Sequence, residues 1–121
     1  MWRIEYDPGQ HLLMVRLARE VREVDMRALA RAHAQALEAT GNQSFYVLAD
    51  LRGLFPLDGE AAAIFSDMKR VAAKQRGYRG RAVLVDSATI AMQQRNATLE
   101  DGGDAAELIT MDEDEARRFV R

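Results

Sequence analysis

The chain has no cysteine among its 121 residues, no long apolar run and almost no excess of charge of either sign. Without cysteine it can form no disulfide, bind no metal through thiolates and use no thiol as a nucleophile. Without an apolar run of about 20 residues, no segment predicts a membrane span. The net charge of -2 gives no electrostatic reason to expect nucleic acid as a partner.

What the chain does contain is typical of a globular domain, with 48% hydrophobic and 30% charged residues. We find no repeat, low-complexity tract or linker, so we predict a single domain over residues 1–121 with one core. The first six residues alternate between apolar and charged side chains, which is not the pattern of a signal peptide. We therefore predict a cytoplasmic location.

The alternation of Trp2, Ile4 and Tyr6 with charged residues predicts a half-buried strand. Turn residues at 7–10 and a second apolar strand at 11–17 complete an antiparallel hairpin. Helical and strand patterns then alternate, which gives the order β-β-α-β-α-β-α-β-α. That order predicts an α/β fold, with a mainly parallel sheet, an antiparallel N-terminal edge hairpin and helices covering the sheet.

Capping signals mark the predicted helices. Asp25 and Asp58 are good N-caps for the first two helices, which should end at Gly41 and Gly77. Ser87 is placed to cap the third. It has no neighbouring base and no Gly-x-Ser-x-Gly setting, so a cap is favoured over a nucleophile. A phosphorylated or anion-binding serine is the alternative for Ser87.

Asp50 and Asp86 each follow an apolar strand of the predicted parallel sheet. Because the carboxyl ends of parallel strands meet at one edge, we expect the two carboxylates side by side in the crevice where ligands usually bind. Two interpretations are open: they hold Mg²⁺, or each accepts hydrogen bonds from loop amides. No further acidic pair or matching lysine accompanies them, so we predict no metal and no cofactor.

Four apolar residues, Leu54, Phe55, Pro56 and Leu57, occupy a predicted loop, where polar residues are the rule. Either they fold under as a lid on the second helix, or they form an exposed patch for a partner or subunit. Both interpretations are open from the residues alone.

The histidines and the basic residues have ordinary explanations. His33 lies on the apolar face of the first helix, which favours a core residue over a ligand, and His11 is too far away in sequence to predict a zinc site with it. Basic residues at 69–81 surround the end of the second helix, where cations favour the helix dipole. We expect a solvated face there; a site for an acidic partner or a phosphate is the alternative.

Several short motifs together resemble the STAS domain class, and most closely its SpoIIAA-like branch of small stand-alone bacterial proteins. Beside the opening hairpin, these motifs are VLADLRG at 47–53, GRAVLVDS at 80–87, MQQR at 92–95 and ITMDEDEA at 109–116. The resemblance extends over nearly the whole chain and implies the same α/β fold. It also implies a role in protein–protein contact, as in the anti-sigma-factor antagonists of this class.

Those antagonists carry a strand ending in aspartate, a short loop and then Asp-Ser-Ser-Gly at a helix start, where a serine is the phosphorylation switch. Asp50 matches the strand end and Asp58 the aspartate before the serines, but Gly59, Glu60 and Ala61 follow. The phospho-acceptor is missing, so the resemblance implies no such switch here. Glu60 is either a fixed negative charge in place of phosphoserine or an ordinary acidic residue in a first helical turn.

We predict a regulatory interaction module that is not an enzyme, has no catalytic residue, and binds a protein partner and a second copy of itself as a homodimer. A small lipophilic or anionic ligand in the same crevice is the alternative function. Neither nucleic acid nor a membrane span is expected. Contact is expected at nine residues around the strand ends and the apolar loop: Asp50, Leu54, Phe55, Leu57, Asp58, Glu60, Asp86, Ser87 and Thr89.

Overall fold

The chain begins with the antiparallel hairpin that its alternating pattern predicts. In the computed structural model, which describes all 121 residues, β1 (Trp2–Asp7) pairs with β2 (Leu12–Leu17), with Ile4 opposite Val15. The carboxylate of Asp7 accepts the backbone N–H groups of the next turn residues, Gly9 at 2.9 Å and Gln10 at 3.2 Å. This local bonding closes the turn.

The remaining elements follow in the predicted order. They are α1 (Glu23–Thr40), β3 (Phe45–Asp50), α2 (Gly59–Ala73), β4 (Tyr78–Leu84), α3 (Ala88–Glu100), β5 (Glu107–Thr110) and α4 (Glu113–Phe119). The five strands form one sheet in the order β1-β2-β3-β4-β5, in which only the first pair is antiparallel. The predicted α/β class, with an antiparallel edge hairpin on a parallel sheet, is confirmed.

The helices cover the two faces of the sheet unequally. Successive right-handed crossovers in one direction place α1, α2 and α3 on the same face, where they bury the larger core with residues such as Leu13, Val47 and Phe65. On the other face, the seven-residue α4 buries a smaller cluster through Ala116 and Val120. A groove of about 270 Å³ stays open on that face, over the β1–β2 side.

The helix caps confirm two predictions and correct two. Asp58 accepts the N–H of Ala61 at 2.9 Å, and Ser87 accepts that of Ile90 at 3.4 Å, so both are N-caps as predicted. The prediction for Asp25 was wrong: it lies inside α1, and its carboxylate reaches back to the N–H of Arg22 at 3.1 Å. An acid in this position satisfies a free amide from within the first turn.

The prediction that α2 ends at Gly77 was also wrong, because α2 ends at Ala73. Gly77 instead lies where two segments cross. A Cβ atom there would be 2.1 Å from the carbonyl oxygen of Gln43, and the Gly77 carbonyl accepts the N–H of Phe45 at 2.8 Å. The glycine permits this close backbone approach at the start of β3.

None of the four helices combines the length and the apolar character that crossing a bilayer requires.

Candidate functional site

Asp50, at the carboxyl end of β3, is held by two arginines. Its carboxylate lies 2.8 Å from the guanidinium of Arg16 and 2.8 Å from that of Arg52, and it also accepts the backbone N–H of Arg52 at 3.2 Å. Burial raises the pKa of Asp50, but the hydrogen bonds from Arg52 and the charge of Arg16 outweigh it, so the pKa lies below its usual value. Arg52 also bonds Glu113 of α4 at 3.0 Å. The carboxylate is therefore ionised, and the two arginines balance its charge.

Asp86 fixes the turn that follows Asp50. Both of its carboxylate oxygens lie 3.1 Å from the backbone N–H of Gly53, which has a left-handed φ of 79°. Asp50 and Asp86 thus bracket one turn at the expected edge of the sheet, and each accepts a loop amide. No group of three or more His, Cys, Asp or Glu side chains is placed to hold a metal ion. Both carboxylates thus make the loop-amide bonds of the second interpretation.

The apolar loop combines both of its predicted roles. Leu54 and Leu57 are 5% and 7% exposed and belong to the core, whereas Phe55 is 53% exposed. The backbone of Phe55 donates to the carbonyl of Arg19 at 3.0 Å, and the Gln93 amide bonds both backbone groups of Leu57, at 3.4 and 3.1 Å. Leu54 and Leu57, predicted as contact residues, therefore anchor the loop and leave Phe55 and Pro56 at the surface.

The other predicted contact residues lie at the same edge, at the starts of α2 and α3. Asp58 and Ser87 cap these helices, while Glu60 and Thr89 are exposed in their first turns. Arg19, which pairs with the loop through its backbone, is exposed beside it. We call the exposed members of this edge the Phe55 surface: Arg19, Phe55, Pro56, Asp58, Glu60, Asp86 and Thr89.

The sequence did not predict the most strongly charged site in the protein, a buried ion cluster beneath α2 and α3. Glu107 Oε2 lies 2.9 Å from Lys69 Nζ and 2.9 Å from Arg81 Nε. Asp104 supplies the second negative charge, 3.3 Å from Arg81 Nη2. The side chains of Lys69, Arg81 and Glu107 are only 7%, 4% and 4% exposed. Two cations and two anions therefore balance one another; three of these side chains are almost fully buried, and Asp104 is 16% exposed.

Hydrogen bonds complete this ion cluster, which we define as Lys69, Arg81, Asp104 and Glu107. Lys69 Nζ donates to Gln94 Oε1 at 3.1 Å and to Thr98 Oγ1 at 2.8 Å, and Thr98 donates to the second oxygen of Glu107 at 2.7 Å. The Tyr78 hydroxyl donates to Asp104 at 2.9 Å. No fully buried side-chain nitrogen or oxygen lacks a partner. The cluster thus ties α2, β4, α3 and β5 together.

The electrostatics of the cluster favour a structural role. Burial lowers the pKa of Lys69, although Glu107 opposes the shift. Burial likewise acts to raise the pKa of Glu107, but Lys69 and Arg81 outweigh it and hold the pKa below its usual value. The Lys69 ammonium contacts three oxygen acceptors, so all three of its protons are engaged. A lysine bound in this way does not present a free amine as a nucleophile.

The predicted solvated face was wrong for Lys69 and Arg81, although Arg70, Lys74 and Arg79 are exposed as expected. A signal for burial was present. Lys69 lies four residues after the buried Phe65 on α2, and Arg81 lies in an unbroken run of buried residues from Gly80 to Val85.

A cleft lies at the amino ends of β4 and β5, opposite the strand ends that form the predicted crevice. It measures about 380 Å³ and is bounded by the ends of α2 and α3 and by the segments that lead into β4 and β5. Lys74 and Arg79 line it and form no ion pair, whereas Arg70 pairs with Asp67 and lies 3.9 Å from Asp101. The cleft therefore has an excess of positive charge at its mouth.

His33 is a core residue, as the sequence predicts, with 5% of its surface exposed. It borders a small cavity of about 20 Å³ together with Lys69 and Arg81. Burial and, second to it, the positive charge of Arg81 lower the pKa of His33 to about 4. The imidazole is therefore neutral at physiological pH.

No protein-family model, curated protein or solved structure matches this chain. The resemblance to STAS domains stays a prediction that depends on the short motifs.

Glu107→Gln should destabilise the protein strongly, because it leaves two buried cations with one counter-charge. We expect the free energy of unfolding to fall by about 3 kcal/mol, a typical loss when one member of a buried ion pair is removed. Urea denaturation measures it. The control, Glu113→Gln, removes a carboxylate from half-exposed pairs with Arg52 and Arg117 and should cost less than about 1 kcal/mol. Equal losses in the two variants would contradict a special role for the buried cluster.

His33 should make the protein less stable as the pH falls. Its pKa is about 4 in the folded protein, against 6.5 for a histidine exposed to water, so the unfolded chain binds more protons between these pH values. Stability is full above pH 6.5 and declines as the pH falls to about 4, by about 3 kcal/mol in total. His33→Leu removes this contribution but keeps those of the carboxylates. Denaturation across this pH range should show a flatter dependence in the variant; parallel curves would refute the assignment.

Proposed function

We propose that this protein is a cytoplasmic, non-enzymatic STAS-like module. It binds a protein partner through the Phe55 surface and associates with a second copy of itself. The observation that carries the proposal is an aromatic ring held out from a loop that is otherwise fixed to the core.

The backbone of the loop on either side of Phe55 is fixed to the rest of the protein. Leu54 and Leu57 are buried on either side, Gly53 is bonded by Asp86, and Leu57 is bonded by Gln93. A side chain carried on a fixed backbone loses less conformational entropy on binding than one on a mobile loop, and aromatic residues are enriched at the centres of interfaces. These features favour Phe55 as an anchor for a partner's pocket.

The charges around the ring indicate the partner's chemistry. Asp58, Glu60 and Asp86 give the Phe55 surface three carboxylates, against the single cation of Arg19. Opposite charges across an interface speed association and exclude wrong partners. We therefore expect an apolar pocket on the partner with a rim of lysine or arginine. Because no serine follows Asp58, contact here would not be switched by phosphorylation in the manner of the antagonists that the chain resembles.

The state of the reactive groups supports a role without catalysis. The negative charge of Asp50 is paired with Arg16 and Arg52, and the Ser87 hydroxyl accepts a backbone N–H at the start of α3. His33, the buried histidine, lies beside Arg81 in the core. No hydroxyl bonds a histidine. The hydroxyls of Ser66 and Thr98 bond the carboxylates of Asp101 and Glu107, and Glu107 is already held by two buried cations.

Phe55→Asp should abolish capture of the partner while the fold is retained. The tagged protein is incubated with a lysate of its source cells, and bound proteins are identified by mass spectrometry. The matched control is Leu99→Asp, at an exposed leucine near the end of α3, on the other edge of the sheet. We expect a partner that wild type and Leu99→Asp both retain and Phe55→Asp loses. A partner retained by Phe55→Asp, or lost by both variants, would contradict the Phe55 surface.

A second candidate function is the binding of a small anionic ligand, and the observation that favours it is the cleft with unpaired Lys74 and Arg79. A lipophilic ligand finds less support, because the cavity inside the core measures only about 20 Å³, room for roughly one water molecule. Burial of Lys69 and Arg81 in the ion cluster leaves Lys74 and Arg79 as the free cations of the cleft.

Anion binding in the cleft should stabilise the folded protein by mass action. Thermal unfolding with increasing phosphate or citrate, at constant ionic strength, should show a saturable rise in Tm that disappears in Lys74→Gln/Arg79→Gln. Arg31→Gln/Arg118→Gln removes two exposed arginines elsewhere and should leave the rise unchanged. An equal response from all three proteins would indicate only a general salt effect.

A further inference from the structure

The outer edge of β1 has backbone hydrogen-bonding groups without a partner in the chain. β1 is an edge strand of the sheet. Met1, just before it, exchanges two hydrogen bonds with Ala18, at 3.2 and 3.0 Å. In an antiparallel pair such bonded residues alternate, so the odd-numbered residues of β1 face β2. The N–H and C=O groups of Trp2, Ile4 and Tyr6 therefore point away from the sheet.

This edge lacks most of the usual protections against pairing. Natural edge strands are blunted by proline, a bulge or a covering segment. β1 is regular over all six residues, contains no proline and pairs with β2 without a register shift. Its exposed charges, Arg3 and Glu5, are opposite in sign.

The sequence of β1 is complementary to itself. If a second copy pairs antiparallel about a twofold axis at Ile4, residue numbers across the interface sum to eight by the arithmetic of the register. Arg3 then faces Glu5 of the second copy, Glu5 faces Arg3, and Trp2 faces Tyr6. Opposite charges and aromatic pairs directly across two strands are both stabilising.

The hydrogen-bonding pattern fits the same register. This pairing joins even-numbered residues with even-numbered ones, so the free groups of Trp2, Ile4 and Tyr6 meet their counterparts. Arg3 and Glu5 then occupy the non-hydrogen-bonded positions, where opposing side chains are closest. Their side chains are 72% and 50% exposed and border the open groove, so no element blocks them.

We propose that two copies of the protein associate through β1, antiparallel and centred on Ile4, and form one continuous ten-stranded sheet. The proposal names the interface for the self-association part of the proposed function, and it does not depend on the Phe55 surface. The interaction is specified by charge order and strand register rather than by a large apolar patch.

Charge reversal tests the pairing by sedimentation equilibrium. Arg3→Glu and Glu5→Arg each replace two attractive pairs per dimer with two repulsive ones, so each should raise the dissociation constant of the dimer by about tenfold or more. The combined variant Arg3→Glu/Glu5→Arg restores both pairs and should restore dimerisation. The matched control is Arg22→Glu, at an equally exposed arginine paired with Glu20 at the same spacing, which should leave the dimer unchanged.

Amide hydrogen exchange locates the interface in the same samples. The amides of Trp2, Ile4 and Tyr6 should exchange more slowly at concentrations that favour the dimer, while those of Arg3 and Glu5 are protected at all concentrations. The proposal is overturned if wild type is a monomer, if single reversals have no effect, if the double variant fails to recover, or if the even-numbered amides stay unprotected. Partner capture separates the two proposals. Arg3→Glu should still capture the protein partner, because only Phe55→Asp should impair contact through the Phe55 surface.

Discussion

The carboxylate of Glu107, shared between the buried cations Lys69 and Arg81, is the interaction on which the arrangement of one half of the sheet depends. A charge removed from water costs several kcal/mol unless it is paired and hydrogen-bonded. Glu107 therefore has to reach both cations, and it does so only when β5 lies beside β4 and α2 and α3 lie over them. The cluster thus specifies the register of β5 against β4 and also stabilises that pairing.

At the carboxyl ends of the parallel strands, charged groups are likewise paired and hydrogen-bonded, but they are less buried. Asp50 binds two arginines and the N–H of Arg52, and Asp86 accepts the N–H of Gly53, so the turn after β3 is fixed. Asp50, Asp86 and the ion cluster therefore have structural roles at the two ends of the parallel strands. Phe55, on a loop with a fixed backbone, and the unpaired backbone of β1 stay exposed, and we propose both as contact sites.

Much of this fold could be predicted from local patterns. Periodicity and helix caps identify every element, because Asp58 and Ser87 act on amides only a few residues away. The buried ion cluster could not be found in this way, since Arg81 and Glu107 are 26 residues apart in the chain. A local pattern shows that a residue is charged, but only the tertiary pairing decides that it is buried.

The apolar loop shows a similar limit. Its composition indicated that something unusual happens at 54–57, and both predicted outcomes occur. Which residues turn inward depends on the backbone pairing of Arg19 with Leu54 and on the bonds between Gln93 and Leu57. These contacts join segments that are distant in sequence, so no local rule separates Phe55 from its neighbours.

Site-specific photo-crosslinking tests the central claim, contact through the Phe55 surface, most directly. A photoreactive phenylalanine analogue is incorporated in place of Phe55 or, in a second protein, in place of Leu99, and each is irradiated in cells that express it. We predict a covalent adduct with one defined partner from position 55 and none from position 99. No adduct from position 55, or the same adduct from both positions, would contradict the proposed surface.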